Sequence, residues 1–335
     1  MELVAKFVNL AIPIEQGQLK QIKLNNMNVL GIGNAIVDVI CKVDDDFLVK
    51  NDLTKSTMKL INEEEFKKLS SSLKIEKTMA GGSVANSIVG LAQLKNEVSF
   101  IGKINDDEFG LSYEKSLFSE NVKYCYKKKK ENIPTGTCLI LITPDAERTM
   151  CTFLGISGKI TSNDLKDDEI KKSEIIFLEG YLWDEGTPKD AFNKALSLKN
   201  KSAMTLSDKF CVDRHKDNFL NLVKNDLDIT FANEQEILSL INGKNFKDVV
   251  DFSKELKKLI VITRSDKGSI AINDSEVIEC DSQKNLKIID LTGAGDLFAA
   301  GFLHGYINKK TIKESLKKGT EMASKVIQII GARLT

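Results

Sequence analysis

The sequence carries no net charge, hardly any arginine, no zinc-type cysteine spacing and no apolar run long enough to cross a bilayer. Its 48 lysines and arginines balance 48 aspartates and glutamates. A duplex-binding protein needs a basic excess to displace phosphate counterions, so nucleic acid is not the expected partner. The run Lys127–Lys130 reads as a solvated loop beside a turn. Arg148, Arg214, Arg264 and Arg333 are the only arginines. Where so lysine-rich a chain keeps one, the planar bidentate fork that lysine cannot supply is a reason to look closely. The 6 cysteines form no C-x-x-C pair, which excludes a zinc ribbon, and a chain of this size needs no disulfide framework. They read as reduced thiols of a cytoplasmic protein. The apolar stretch Val8–Ile14 is interrupted by Pro13 and lacks the flanks of a signal peptide. Residues 1–26 are therefore expected to be an extension, unordered or the product of an over-long start, with Met27 opening the domain proper over 27–335.

What is present is an ordinary globular composition, 42% hydrophobic and 29% charged over 335 residues. No linker, repeat or low-complexity tract divides the chain. Short β-branched runs (Val29–Gly33, Val98–Ile101, Ile175–Leu178, Ile229–Ala232, Leu259–Thr263, Ser269–Asn273) alternate with amphipathic stretches. The expected helices are Val84–Leu94, Asp107–Glu120, Lys189–Leu198, His215–Val223, Glu234–Leu240, Lys247–Lys257, Leu297–Ile307 and Thr311–Ile330. That alternation predicts an α/β fold with a central, mostly parallel sheet covered by helices on both faces. Residues 36–61 and 121–155 break the pattern with alternating apolar positions and turns, and are expected to form a small separate sheet.

The stretch Asp290-Leu-Thr-Gly-Ala-Gly-Asp296 runs straight into an apolar helix. Small residues before a helix start leave backbone N–H groups uncovered at the positive end of the dipole, which makes an anion site. An acid, Asp296, stands in the first turn. Beside an anion hole it is costly unless it takes a proton from a hydroxyl as phosphate arrives. The competing reading is a favourable helix-terminus charge above a glycine turn. Gly31-x-Gly33 lacks the third glycine of a dinucleotide fingerprint, which disfavours an oxidoreductase. Gly81 and Gly82 would let backbone approach a substrate with Asn86 offering its amide, and helix capping by Ser83 is the alternative explanation.

The segment Asp290–Phe298 resembles the C-terminal signature of the ribokinase-like (PfkB) carbohydrate kinases. Ala80–Asn86 and Ile101–Gly110 are similar to the family's N-terminal signature, about 200 residues earlier and in the right order. Gly31–Asp38 and the segment Thr135-Gly-Thr … Glu147-Arg-Thr-Met look most like the adenosine-kinase-like branch. The resemblance spans about Val29 to Arg333. It implies a ribokinase-like fold with a β-sheet lid, drawn from 36–61 and 121–155, and transfer of the ATP γ-phosphoryl group to a hydroxymethyl group, with adenosine to AMP as first choice. A free sugar or sugar acid (ribose, fructose, 2-keto-3-deoxygluconate) is the alternative acceptor, and a binding protein without turnover is the non-enzymatic one.

The same resemblance assigns roles. Asp296 would be the base, Gly293, Ala294 and Gly295 the anion hole, and Arg148 a lid arginine reaching the phosphates. Asn34, Asp38, Gly81, Gly82 and Asn86 would hold the acceptor, Asp38 accepting from two hydroxyls. Asn233, with Thr263, Ser265 and Gly268, would meet the nucleotide. Glu236 of the N-x-x-E pattern would serve Mg²⁺, directly or through water, and Asp290 would help shape a K⁺ site. Ser265 stands where the family usually has glycine, a departure from the pattern. The polar segment Ser207–His215 offers a cysteine and a histidine without a third partner and is expected to be a structural or subunit-contact loop. The partners implied are small molecules, with no membrane and a monomer or homodimer.

Overall fold

Nine strands make one twisted sheet in the computed structural model, which describes residues 29–145, 147–184, 186 and 188–334. The expected extension 1–26 and Met27 lie outside the described residues. From edge to edge the order is Val277–Cys280, Ser269–Ile272, Leu259–Thr263, Ile229–Asn233, Ser202–Thr205, Ile175–Glu179, Val29–Ile32, Val98–Ile101 and Lys123–Tyr124. Ser269–Ile272 is antiparallel to both neighbours, and all the other pairings are parallel. Side chains alternate between two cores. Val29, Ile175, Phe177 and Phe231 pack with helices Ser83–Gln93 and Ala294–Ile307 on one face. Leu30, Ile32, Ile176 and Leu178 pack with helices Pro188–Leu198, Lys209–Asn221 and Glu234–Ile241 on the other. A sheet covered on both faces has apolar side chains at successive positions, as its strands do.

A second sheet has five strands, ordered Met58–Leu60, Arg148–Phe153, Gly136–Ile142, Ile36–Lys42 and Ile75–Ala80. It leaves the body directly after the central strand, Gly33–Ala35 being the only connection between Ile32 and Ile36. Asp38 is in register with Met79 on one side and Cys138 on the other.

The structure departs from the sequence reading at several elements. Ile75–Ala80 was not anticipated because Ile-Glu-Lys-Thr is exposed throughout, the charged edge of a sheet rather than an alternating strand. Ser202–Thr205 is short and poor in β-branched residues; burial between parallel neighbours makes it a strand. Val277–Cys280 closes the large sheet where no strand was read, and Lys123–Tyr124 joins its other edge instead of the small sheet. The helix expected over 215–223 begins at Lys209, capped by Asp208, and kinks at His215. The C-terminal helix stops at Val326, where the Ile327 carbonyl turns to accept from Ile289 N and Asp290 N. The six cysteines are free, and among the described residues no helix is long and apolar enough to cross a membrane.

Candidate active site

The chain leaves the central strand for the small sheet and later fills the large sheet on the opposite side, so strand order reverses beside Val29–Ile32. Open α/β sheets bind ligands at the carboxyl ends of strands at such a point. Asp296 sits there, in the first turn of helix Ala294–Ile307, partly exposed. It accepts from Ser83 Oγ at 2.7 Å and Asn86 Nδ2 at 3.0 Å, and its carbonyl accepts from Ser87 Oγ at 2.8 Å. Burial pushes its carboxyl up to about 6, against those donors and the Arg333 charge, which pull it down. A group so poised is ionised at neutral pH and still basic enough to take a proton. The two signatures, far apart in sequence, thus meet at one carboxylate.

Gly293 precedes the helix at φ 79°, and a Cβ there would lie 2.6 Å from Ala332 Cα. Only glycine fits that turn and that approach. Ala294 begins the helix, while a Cβ on Gly295 would meet nothing within 4 Å. The helix start therefore opens on free space beside Asp296, as an anion hole requires.

Gly81 and Gly82 join the small sheet to helix Ser83–Gln93. A Cβ on Gly81 would lie 2.4 Å from Asp38 Oδ2, and one on Gly82 2.2 Å from Asn34 O. Ser83 makes no capping bond; its hydroxyl is on Asp296, which removes the capping explanation. Burial pushes the Asp38 carboxyl up to about 7, opposed by Arg333 and reinforced by Asp296. Asn34 is buried and its amide makes no hydrogen bond of normal geometry. Asp38, Ile40, Met79, Ile140, Arg148 and the tail Ile330–Arg333 enclose a cavity of ≈ 20 Å³.

Arg148 crosses from the small sheet to the body. Its Nη1 donates to Asp290 Oδ2 and, at 3.4 Å, to Thr292 Oγ1. Asp290 Oδ1 accepts from Thr292 N at 3.0 Å and Thr292 Oγ1 at 2.7 Å, and Oδ2 accepts from Gly331 N at 2.7 Å. These donors hold its carboxyl below the usual range. A side chain so saturated, with a guanidinium on it, does not fit a potassium ion, so no step is derived through one.

On the other side of Asp296 a cleft of ≈ 1060 Å³ is lined by Asn233, Glu236, Thr263, Ser265, Gly268, Gly293, Ala294 and Gly295, among others. Asn233 and Glu236 form a capping box: Asn233 N donates to Glu236 Oε2 at 3.0 Å and Glu236 N to Asn233 Oδ1 at 2.9 Å. Burial pushes Glu236 up to about 7. With both oxygens engaged, Glu236 fits a magnesium ion held through water better than one seated on its carboxylate. Ser265 has φ 55°, the left-handed region in which glycine is the usual residue.

Two residues near Asp296 escaped the sequence reading. Glu179, at the end of its strand, accepts from Val84 N at 3.0 Å, is buried, and is pushed up to about 7. Arg333 is buried against Asn86 and Gly81. The first is a lone acid after an apolar run; the second's arginine type was its only signal. Within Ser207–His215, Asp208 caps its helix and accepts from Tyr181 OH at 2.8 Å. His215 and Arg214 both bind Asp184, at 3.0 Å and at 2.8 and 2.7 Å.

The model of the pfkB family carbohydrate kinases matches residues 41–335. The chain is 27% identical to adenosine kinase 2 of Arabidopsis thaliana over 332 residues, covering 90% of this chain and 94% of that one. It is also 27% identical to 5-dehydro-2-deoxygluconokinase of Listeria monocytogenes over 266 residues, 74% of this chain and 80% of that one. Among solved structures, the adenosine kinase from Sinorhizobium meliloti superposes with a TM-score of 0.86 at 36% identity, over 92% of this chain and 96% of its own.

Proposed function

The chain belongs to the pfkB family of carbohydrate kinases, which makes it an ATP-dependent kinase, and from that premise we propose that its acceptor is a nucleoside, adenosine first. The observation that carries the choice is the face of the small sheet around Asp38. Ile36, Ile40, Cys138, Ile140, Ile142, Met150 and Leu154 form one apolar cluster on it. Asp38 is paired in register with Cys138 and shares the face of Ile36 and Ile40. Such a surface suits a flat heterocycle, whereas a sugar acid would leave its far hydroxyls and carboxylate without partners. The Listeria relative keeps the sugar-acid alternative in view.

In this reading Asp38 accepts from two ribose hydroxyls, and Asn34, Gly81, Gly82 and Asn86 line the sugar. The acceptor's hydroxymethyl oxygen attacks the γ-phosphorus, the bond to the β–γ bridging oxygen breaks, and Asp296 takes the hydroxyl proton. The N–H groups at Gly293, Ala294 and Gly295 hold the charge that spreads over the transferring oxygens, with Arg148 swinging onto them from Asp290. ATP lies in the larger cleft along Asn233, Thr263, Ser265 and Gly268. A magnesium ion near Glu236 would neutralise the β- and γ-oxygens when bound. Phosphoryl transfer demands positioning and charge stabilisation rather than covalent chemistry, so this set is sufficient.

An ATP-coupled screen over nucleosides, free sugars and sugar acids tests the choice. Adenosine should give the highest kcat/KM. Preference for a free sugar or sugar acid would overturn the nucleoside reading and leave the kinase intact.

A further inference from the structure

Arg333 is 7% exposed, in the tail after helix Ile312–Val326. That tail is pinned along its length: Gly331 N donates to Asp290 Oδ2 at 2.7 Å, and Leu334 O accepts from Gln93 Nε2 at 2.7 Å. The guanidinium donates to three neutral acceptors: Asn86 Oδ1 at 2.9 Å, Gly81 O at 3.4 Å and Ser116 Oγ at 3.4 Å. Burying a cation without a carboxylate directly on it is costly, so its value to stability is poor. Its charge instead faces Asp38 from the small sheet, Asp296 from helix Ala294–Ile307, and Tyr113 and Glu120 from the helix Glu108–Ser119 and its C-cap. Asp296 in turn is faced by Arg333, Asp38 and Glu179.

We propose that Arg333 is the positioning residue of Asp296: it grips the oxygen of the Asn86 amide, so that the amide's NH₂ end, and never its oxygen, is presented to the carboxylate. A primary amide has two donors and an acceptor at opposite ends and can rotate between them. Nothing else bonded to Asn86 Oδ1 among the described residues fixes the choice. With Arg333 in place, turning the amide over would set NH₂ against guanidinium and oxygen against carboxylate, two repulsions in exchange for two charge-assisted bonds. The chain guanidinium–amide–carboxylate thus ties the tail to the reacting centre. The inference rests on the reading of Asp296 as base.

The test reads Asp296 directly. Its ¹³C carboxyl titration, assigned by its loss in Asp296→Asn, needs no turnover. In Arg333→Met the midpoint should rise by about one pH unit, because a positive charge and an oriented donor are both lost. kcat at pH 7 should fall at least about tenfold, with KM for ATP within about twofold of wild type. An unmoved midpoint overturns the proposal even if kcat falls, since a packing defect lowers turnover without touching the titration. Failure of the base reading looks different: Asp296→Asn keeps near-wild-type kcat, yet the midpoint still moves in Arg333→Met. If Arg333→Met does not fold, Asn86→Ala is used. Its midpoint should rise, and Arg333→Lys added to it should cost kcat nothing further; additive losses overturn the link.

Discussion

At the residue scale the site is defined by acids held where they would rather not be charged. In the proposed reading Asp296, at about 6, and Asp38, at about 7, both work ionised. Activity should therefore fall as pH drops through 7 and 6, with limbs in kcat/KM that belong to the coupled pair. A profile flat down to pH 5 contradicts both assignments. Asp296→Asn should lower kcat by about 10² to 10⁴, the range for losing a general base, while acceptor KM changes little. The same substitution bears on stability. A carboxyl whose folded value lies above its unfolded one favours the native state when protonated, and that contribution is lost as pH rises through the folded value. Asp296→Asn should thus melt a few °C higher than wild type at pH 8, with the gap shrinking as pH falls below about 6 towards the ordinary carboxylate range. A gap that stays the same at about pH 8 and about pH 4.5 would point to packing instead. Asp296 and Asn86 were legible in sequence because each sits in a dense local signature. Arg333 was not, because its tail acquires meaning only when folded back onto Gly293 and Asn86.

The element that matters most is the start of helix Ala294–Ile307, where two glycines two residues apart do different work. Gly293 is required by its backbone and by Ala332 against it; Gly295 has open space before it. Gly293→Ala should therefore destabilise by more than about 1 kcal/mol, from the positive φ and the clash together. Gly295→Ala should leave melting unchanged or slightly raised, since alanine favours helix, yet lower kcat by crowding the space where phosphoryl oxygens would sit. Equal effects on melting from both would remove the distinction. The spacing of small residues before an apolar run disclosed this helix start, but not which glycine faces protein and which faces the cleft. The N-x-x-E pattern shows the opposite limit. The spacing read as facing a metal–phosphate site closes a capping box in which Asn233 holds Glu236. Ser265 sits at a left-handed position, which accounts for the glycine the family usually has there and leaves the serine strained. Ser265→Gly should relieve that strain and stabilise by up to about 1 kcal/mol, read by denaturant midpoint.

For the whole molecule, the question is how two sheets share one site. The α/β body was legible because strand runs and amphipathic helices alternate with clear periods. The small sheet was read less completely: its edge strand Ile75–Ala80 has no inward-facing apolar pattern. As the structure stands, the space above Asp38 is ≈ 20 Å³, far below the several hundred Å³ that enclose a small-molecule ligand. A nucleoside can enter only if the small sheet moves away from the pinned tail Ile330–Arg333. Arg148 is the cross-tie, anchored on a small-sheet strand and bound to Asp290 and Thr292 beside the proposed anion hole. In the closed complex a guanidinium can bridge two phosphoryl oxygens as charge spreads, where an ammonium acts as a point charge. Arg148→Lys should then lower kcat by about tenfold or more while melting and acceptor affinity stay near wild type. A side chain with only a surface role would change rate or stability by no more than about 0.5 kcal/mol. Steady-state kinetics and melting of that one variant separate the two. Unchanged kcat takes Arg148 out of the transfer step and leaves it a tie between sheets; a large fall in melting temperature alone makes it a structural strut.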